Sequence, residues 1–258
     1  MSDLHWKTAI SKIEPNNISI RGYQINELMG KVSYPQMVYL LFKGEMPSDN
    51  AGKLIEAMLV SSVDHGTTPP SALAALTVAS TGAELNSAVA AGILAISRFH
   101  GGAIEECMHI IKAAKKLKDE QNLSSSEAGV KIIEDYRSRK KRLSGFGHRF
   151  HTDDPRTKKL FALANEYNIA GEYVDLARSI ESGLERSLGK KLPINVDGAI
   201  AALLCELDFD PVFANAFFMI ARVPGLVAHI YEEKIRYKPM RKIHPTDVEY
   251  DGPELRYL

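Results

Sequence analysis

The chain has 258 residues, of which 45% are hydrophobic and 25% are charged, as in an ordinary globular protein. It carries 32 Lys and Arg against 32 Asp and Glu, so its formal net charge is zero at pH 7. This balance argues against a protein that binds nucleic acid or a membrane surface through its overall charge, and we expect neither as a partner.

The first half of the chain predicts a short strand region followed by helices. The strand pattern is NISIRGY, residues 17–23. A helix is predicted over 33–44 and another from Ser48, because a capping residue precedes apolar residues at helical spacing in both. Segments 70–82 and 84–97 are rich in Ala, Ser and Gly, which predicts closely packed helices, either central in the fold or at a subunit interface.

The second half is predicted to be helical as far as residue 238. The helical patterns cover 103–118, 124–141, 154–168, 171–191, 197–208, 211–222 and 225–238. The serines ahead of Glu127 indicate a capped helix start, and the stretch after Pro239 has no period, which predicts a loop or an arm. Since no repeat or low-complexity linker interrupts the chain, we predict one all-α unit over residues 1–258.

Two cysteines, Cys107 and Cys205, lie in apolar helical patterns and outside any C-x-x-C motif, which predicts buried free thiols in a reducing compartment. The start MSDLHWKTAI lacks a basic region followed by an apolar one, so no signal peptide is expected. The longest apolar run, AVAAGILAI, is too short to span a bilayer. We therefore expect a cytoplasmic protein.

Four motifs place a histidine or an aspartate beside a glycine at a predicted helix junction. They are SVDHGTTPPS with His65, SRFHGGAIEE with His100, GFGHRF with His148 and PINVDGAI with Asp197. Helix ends leave backbone amides and the helix dipole free to contact a ligand. Four such junctions in one chain therefore indicate a ligand-binding or catalytic site. Asp197 has an alternative interpretation, as the N-cap of the helix that follows it.

The composition of these motifs favours proton transfer next to a carbonyl group over metal or nucleotide chemistry. The sequence has no H-E-x-x-H motif, no Cys/His pair at ligand spacing, no P-loop and no dinucleotide fingerprint. We expect neither a metal nor a permanently bound cofactor.

In combination and in order, these motifs resemble the citrate synthase superfamily along nearly the whole chain. The matching segments are 18–48 with RGY…YLL…GE.P, DHG at 64–66, HGGAIEE at 100–106, GFGHRF…DPR at 145–156, NVDG at 195–198 and ARVPGLVAHIYEE at 221–233. Only residues 48–63 separate the first segment from the first histidine motif, and the step from His148 to Arg156 is one residue shorter than usual. The compact form resembles citryl-CoA lyase and the citrate-synthase-like module of ATP-citrate lyase. The motifs VDHG and NVDG are similar to the same lyase branch of the superfamily.

The resemblance implies an all-α, citrate-synthase-like fold with a small lobe of about 104–218 and a large lobe from 1–103 and 219–258. It implies a retro-Claisen cleavage of citryl-CoA to acetyl-CoA and oxaloacetate, with CoA entering as part of the substrate. By the same resemblance, His148 is the base on the tertiary hydroxyl, His100 donates to the thioester oxygen, and Asp197 protonates the carbon.

The binding residues are also implied by the resemblance. Arg156 and Arg222 match the positions that hold substrate carboxylates, and His65 matches the position that bonds the oxaloacetate portion. A third cation is expected from the C-terminal arm, where Arg236, Lys238 and Arg241 compete and Arg241 is favoured. In the family this arm can reach across a dimer, so we expect a homodimer or a higher homo-oligomer.

The CoA portion is expected along the loop formed by Leu143, Ser144, Gly145, Phe146 and Gly147. The backbone groups of this loop would recognise the adenine. The basic run RSRKKR, residues 137–142, precedes this loop. It is either a solvated helix end or a contact for the CoA phosphates.

Two other functions remain open from the sequence. One is a short citrate or 2-methylcitrate synthase, which would run the same chemistry as a condensation. The other is a non-catalytic subunit that binds acyl-CoA for a larger enzyme.

Overall fold

The computed structural model describes residues 6–147 and 153–242. The chain begins with a three-stranded antiparallel sheet in the order β1–β2–β3, formed by Ser11–Glu14, Asn17–Ile20 and Tyr23–Gln24. The predicted strand region 17–23 is confirmed in β2 and β3. β1 was not predicted, because all four of its residues are exposed and so show no alternation of apolar and polar positions.

Eleven α-helices make up most of the described part of the chain, which confirms the all-α class. They are α1 Ile25–Leu28, α2 Tyr34–Lys43, α3 Asp49–Ser61, α4 Pro70–Ser80, α5 Leu85–Leu94, α6 Ala103–Gln121, α7 Ser125–Ser138, α8 Pro155–Glu166, α9 Glu172–Leu188, α10 Val196–Glu206 and α11 Ala214–Arg236. A 3₁₀ turn, Pro211–Phe213, leads into α11.

Helix starts lie where the capping residues predicted them. Ser33 caps α2 and Ser124 caps α7, and each forms a reciprocal capping box, with Gln36 and Glu127 respectively. Gly44 ends α2 in a left-handed conformation with φ 83°, which a glycine adopts without strain.

The main hydrophobic core is built around α6 and α10, with α7, α8 and α9 packed against them. Nearly every residue of α10 is buried, so this helix is apolar on all sides. Cys107 of α6 and Cys205 of α10 are buried free thiols, as predicted. Burial raises the pKa of the Cys205 thiol to about 12, so the thiol stays protonated and inert.

Helices α4, α5 and α11 share a second, smaller apolar cluster, formed by Ala72, Ala75, Ala79, Ala88, Leu226 and Ile230. Within the described part of the chain, Pro211–Arg236 is long and apolar enough to cross a membrane, judged by length and composition alone. In this fold it packs against α3, α4, α5 and α6 and encloses Arg222 and Glu233, as a core helix does. The division into lobes at residues 104 and 218 stays a prediction.

Candidate active site

His100 lies in a tight loop between α5 and α6. The backbone of Ser97 and that of His100 exchange two hydrogen bonds of 2.8 and 2.9 Å. Gly101 follows with φ +83°, and a Cβ on it would lie 2.6 Å from the ring of Phe218. Only glycine fits this position, so the loop fixes the direction of the imidazole.

The His100 imidazole meets the N-terminus of α4. Ser71, the second residue of that helix, approaches the imidazole Nε2 with its backbone nitrogen at 3.3 Å and with Oγ at 2.8 Å. Because a backbone N–H only donates, Nε2 accepts, and the neutral ring carries its proton on Nδ1. Burial, Arg222 and His65 all lower the pKa of His100. The result is a neutral imidazole whose Nδ1–H has no hydrogen-bond partner among the described residues.

Asp197 is the second residue of α10, and its role as N-cap is excluded. The cap is Asn195, whose side chain accepts a 3.1 Å hydrogen bond from the backbone N–H of Gly198. The Asp197 carboxyl group has no hydrogen-bond partner within residues 6–147 and 153–242. Burial raises the pKa of Asp197 to about 6, against an opposing effect of Arg156 and with a further increase from Asp154. This carboxyl group therefore titrates close to neutral pH.

Arg222 of α11 is only 4% exposed. Its Nε donates to the backbone oxygen of Ser62 at 3.1 Å, while Nη1 is buried without a partner among the described residues. Its guanidinium carbon lies 4.8 Å from the centroid of the Phe218 ring, which also contacts the ring of His100 edge-on at 5.6 Å. A buried cation with an unused donor beside His100 is suited to an anionic ligand.

Arg156 lies near Asp197, but its fork is already occupied. Its Nε and Nη2 bond the two carboxylate oxygens of Asp154 at 3.0 and 2.8 Å. The Asp154 side chain is fully buried and also caps α8. The pairing follows because a buried carboxylate requires a paired cation. The role of Arg156 in substrate binding stays a prediction. Only the remaining edge of Arg156 is left for a substrate.

His65 is exposed on the segment between α3 and α4, and its charge contributes to the lowered pKa of His100, so the two rings are neighbours. The preceding carboxylate, Asp64, accepts a 3.0 Å hydrogen bond from the backbone N–H of Gly66. Its other oxygen lies 2.9 Å from Nε2 of His229, on α11. His65 thus sits on a turn that is anchored on both sides.

The glycine loop 143–147 is bonded to the segment that leads into α10. Asn195 donates from its backbone to Gly145 O at 3.0 Å and from its side chain to Gly147 O at 2.9 Å. Gly145 has φ +88°, and a Cβ on it would lie 2.4 Å from the sulfur of Cys107. The loop and Asp197 are therefore held by the same few residues.

A cleft of about 720 Å³ opens beside this loop, between the C-terminal ends of α7 and α9. Three of the predicted loop residues line it, Leu143, Phe146 and Gly147, whereas the Ser144 hydroxyl turns away to Glu106 at 2.6 Å. Five cations also line the cleft, namely Arg137, Lys140, Lys141, Arg142 and Lys190. Four of them come from the basic run 137–142, so that run faces a cavity rather than open solvent alone.

Arg241 does not lie at this site within one chain. It forms a bidentate ion pair with Glu233, at 2.5 and 2.7 Å, and the neighbouring Met240 bonds the last residue of α4. Glu233 is eleven residues beyond Arg222 on the same helix, which corresponds to about 16 Å. The predicted site residue His148 lies outside the described residues.

Comparison with known proteins identifies the family of this site. The family model described as citrate synthase, C-terminal domain, matches residues 4–53 and 47–246. The chain belongs to the citrate synthase family. This confirms the family inferred from the sequence motifs.

The chain is similar to citryl-CoA lyases, ATP-citrate synthases and citrate synthases within this family. The structure of citryl-CoA lyase from Hydrogenobacter thermophilus is 44% identical and matches 98% of this chain and 97% of its own, with a TM-score of 0.89. The ATP-citrate synthase beta chain protein 2 of Arabidopsis thaliana is 30% identical over 82% of this chain, and citrate synthase of Haloferax volcanii is 29% identical over 83%. The chain spans 36% and 54% of the length of these two curated relatives.

Several residues of this citrate synthase family site were not identified from the sequence. Asp154 lies directly before Pro155, and Asn195 lies directly before the apolar pattern of α10. An Asp or Asn in such a position is a typical N-cap, so the sequence carried a signal for both caps. Ser71, Asp64 and His229 gave no such signal, because their contacts join segments far apart in the chain.

The expectation of a metal-free site stays a prediction. Within the described ranges, no three His, Cys, Asp or Glu side chains cluster at metal-binding distance.

Proposed function

We propose that this chain cleaves citryl-CoA to acetyl-CoA and oxaloacetate. The observation that carries the proposal is the 44% identity to citryl-CoA lyase from Hydrogenobacter thermophilus, which extends over 98% of this chain and 97% of that one. The neutral imidazole, the titratable carboxyl group and the buried guanidinium described above are the groups that such a cleavage needs.

Cleavage begins at the tertiary hydroxyl of the citryl group. A base removes the hydroxyl proton, the C–O bond becomes the ketone of oxaloacetate, and the C–C bond breaks. The electron pair of that bond passes into the thioester, which becomes an enolate. His148 is the proposed base, by its match to the family motif.

His100 stabilises the enolate. Its Nδ1–H has no partner within residues 6–147 and 153–242 and is the donor of the ring, because Nε2 already accepts from the N-terminus of α4. Burial and the neighbouring Arg222 lower the pKa of the ring, so the donor is a neutral imidazole. A preorganised donor in a site shielded from water can lower a barrier by several kcal/mol, about 2.7–4 for one oxyanion-type donor.

Asp197 delivers the proton to the carbanionic carbon. A carboxyl group with a pKa of about 6 is partly protonated at neutral pH and is therefore a competent acid there. No hydrogen bond within the described residues competes for its proton. The same group, once ionised, would be the base for the reverse condensation.

The cations bind the carboxylates of the substrate. Arg222 offers a buried Nη1 that no described residue pairs, and Arg156 offers the edge of its guanidinium that does not face Asp154. His65, beside His100, bonds the oxaloacetate portion. These three residues come from three different segments, so the substrate carboxylates would sit where α8, α11 and the turn before α4 meet.

The cleft beside the glycine loop binds the CoA portion. Its apolar residues Leu143 and Phe146 suit the flat adenine, and its five cations suit the phosphates. This favours the phosphate-contact interpretation of the basic run over a solvated helix end. Because Asn195 bonds the loop and caps α10, the bound CoA would lie close to Asp197.

The proposed assembly is a homodimer through α4, α5 and α11. These helices leave several large apolar side chains exposed, namely Leu73, Leu85, Leu94, Tyr231 and Ile235. Exposed apolar surface of this extent is typical of protein interfaces. In such a dimer, the C-terminal arm with Arg241 would serve the site of the other subunit.

The test is an assay of the purified chain with citryl-CoA, in which malate dehydrogenase and NADH report oxaloacetate. We expect oxaloacetate and acetyl-CoA from the wild type, and a greatly reduced rate from Asp197→Asn as the matched control. Release of citrate and CoA from acetyl-CoA and oxaloacetate, without cleavage of citryl-CoA, would assign the chain as a synthase. Binding of CoA with neither reaction would assign it as a non-catalytic subunit.

A further inference from the structure

The turn that carries His65, residues 62–66, rests on one face of α11. At Arg222, the side chain donates through Nε to the Ser62 carbonyl oxygen at 3.1 Å. At Gly225, a Cβ would lie 2.4 Å from the carbonyl oxygen of Val63, so the backbone of the turn touches the helix directly. The turn is thus packed against a helix that already supplies a residue to the site.

A third contact joins the same face of α11 to the turn. His229 Nε2 lies 2.9 Å from Asp64 Oδ1, and positions 222, 225 and 229 are spaced so that they share one helix face. Asp64 Oδ2 accepts from the backbone N–H of Gly66 at 3.0 Å. One carboxylate therefore holds the residues on both sides of His65 and ties them to α11.

The direction of the His229–Asp64 hydrogen bond follows from the state of the acid. Burial opposes ionisation of Asp64, but the hydrogen bonds from Gly66, His229 and the His65 backbone lower its pKa. An ionised carboxylate only accepts, so His229 donates from Nε2. The His229 side chain is 17% exposed and the Asp64 side chain 41%, so the histidine is the shielded partner of this contact.

We propose that His229 and Asp64 form a positioning pair that holds His65 at the substrate. This inference rests on the proposed function, in which His65 bonds the oxaloacetate portion. Neither member of the pair touches the substrate; they act through the geometry of the turn. The two residues are 165 positions apart in the chain, so no local sequence motif predicts their contact.

The test compares two substitutions at one position with a matched control. His229→Phe keeps an aromatic ring and removes the donor, whereas His229→Gln keeps an N–H donor of similar reach. His109→Phe, at an exposed position on α6, controls for the change of residue type. Amide hydrogen exchange of the peptide containing residues 62–66, followed by mass spectrometry, reports the turn without any substrate.

We expect exchange in residues 62–66 to be about tenfold faster or more in His229→Phe, since a hydrogen bond to a charged group contributes at least that factor. It should return towards the wild-type rate in His229→Gln and stay unchanged in His109→Phe. Unchanged exchange in His229→Phe would overturn the inference.

The functional consequence is measured by calorimetry with oxaloacetate and, separately, with CoA. We expect His229→Phe to bind oxaloacetate about tenfold more weakly or worse, with CoA affinity unchanged, because the cleft for CoA lies between α7 and α9. Faster exchange with unchanged oxaloacetate affinity would overturn the positioning role. A wild-type chain that does not cleave citryl-CoA would contradict the proposed function, while the exchange experiment judges the turn independently.

Discussion

His100 and Asp197 both lie beside the N-terminus of a helix, and the positive end of the helix dipole favours the deprotonated form of each. The N-terminus of α4 favours the neutral imidazole that the donor role requires. The N-terminus of α10 favours an ionised Asp197, by about 0.3–1 kcal/mol. Burial nevertheless raises the pKa of Asp197 from 3.8 to about 6, which corresponds to roughly 3 kcal/mol, so burial decides its state.

Replacement of Asp197 by Asn removes the acid and preserves the shape. Positioned acid–base groups contribute roughly 10²–10⁴ in rate, so we expect kcat for cleavage to fall by about that factor. In the wild type, kcat/KM should fall above about pH 6 as Asp197 ionises, and this limb should vanish in the variant. A variant with near-normal turnover and an unchanged pH profile would remove Asp197 from the chemistry.

The same substitution makes a prediction for stability. The folded pKa of Asp197 is raised above the unfolded value, so its stabilising effect is complete below about pH 4 and is lost as pH rises through about 6. Asn stays neutral, and Asn195 still caps α10. We therefore expect Asp197→Asn to melt no lower than the wild type at pH 7.5. A lower Tm for the variant would show that the carboxylate is stabilising there.

A substitution at Arg222 can distinguish the effect of its positive charge from the effect of its guanidinium geometry. Arg222→Lys keeps the charge but loses the hydrogen bond to Ser62 and the fixed Nη1 donor. Charged hydrogen bonds contribute about 1.5–3 kcal/mol, so we expect KM for citryl-CoA to rise roughly tenfold to a hundredfold. An unchanged KM would assign Arg222 to structure alone.

The ends of the helices were largely predictable from the sequence, because a cap depends only on residues that are close together in the chain. Ser33, Gly44 and Ser124 end or begin helices where their side chains and backbone freedom require it. Asp197 was open to interpretation as a cap because it adjoins the helix, and only the position of Asn195 resolves the ambiguity. The occupied fork of Arg156 and the His229–Asp64 contact depend on how elements pack, and a sequence pattern does not report packing.

The junction between the glycine loop and α10 can be tested by a pair of glycine substitutions. Gly145→Ala must meet Cys107 and the Cα of Gly198 at 2.4 and 2.9 Å, and it also adopts φ +88°. Gly82→Ala adopts a similar φ, +86°, with nothing within 4 Å. Both lose about 1–2 kcal/mol from the backbone, and Gly145→Ala loses a further 1–3 kcal/mol or so from overpacking.

The measurement for this pair is thermal unfolding together with CoA binding. We expect Gly145→Ala to melt several degrees below Gly82→Ala and to bind CoA more weakly, while Gly82→Ala binds CoA normally. Equal melting temperatures would mean that the loop can move away from α10.

At the scale of the whole molecule, the sequence motifs indicated the family and therefore the all-α fold. The site is distributed over 158 positions of chain, from His65 to Arg222, and its members come from elements in both halves of the chain. Helix α4 packs against α11, and α8 packs against α10. The sequence could name most of these members by resemblance, but not their partners. The separation of Arg241 from the site likewise appeared only once α11 was placed.

The apolar surface of α4, α5 and α11 predicts association. We expect sedimentation at micromolar concentration to give a species of twice the 28.5 kDa chain mass. The physical reason is that side chains such as Leu94, 82% exposed, gain from removal from water in a dimer. A single 28.5 kDa species at that concentration would contradict the dimer and the proposed role of Arg241 in the other subunit.

In the proposed reaction, one chain breaks the C–C bond of citryl-CoA and protonates the carbon released. The most direct measurement is to incubate purified protein with citryl-CoA in D₂O and to analyse the products by mass spectrometry. We expect equal amounts of oxaloacetate and acetyl-CoA, with one deuterium in the acetyl methyl group, because the Asp197 proton exchanges with solvent before transfer. Citrate and free CoA as products, or recovery of intact citryl-CoA, would contradict it.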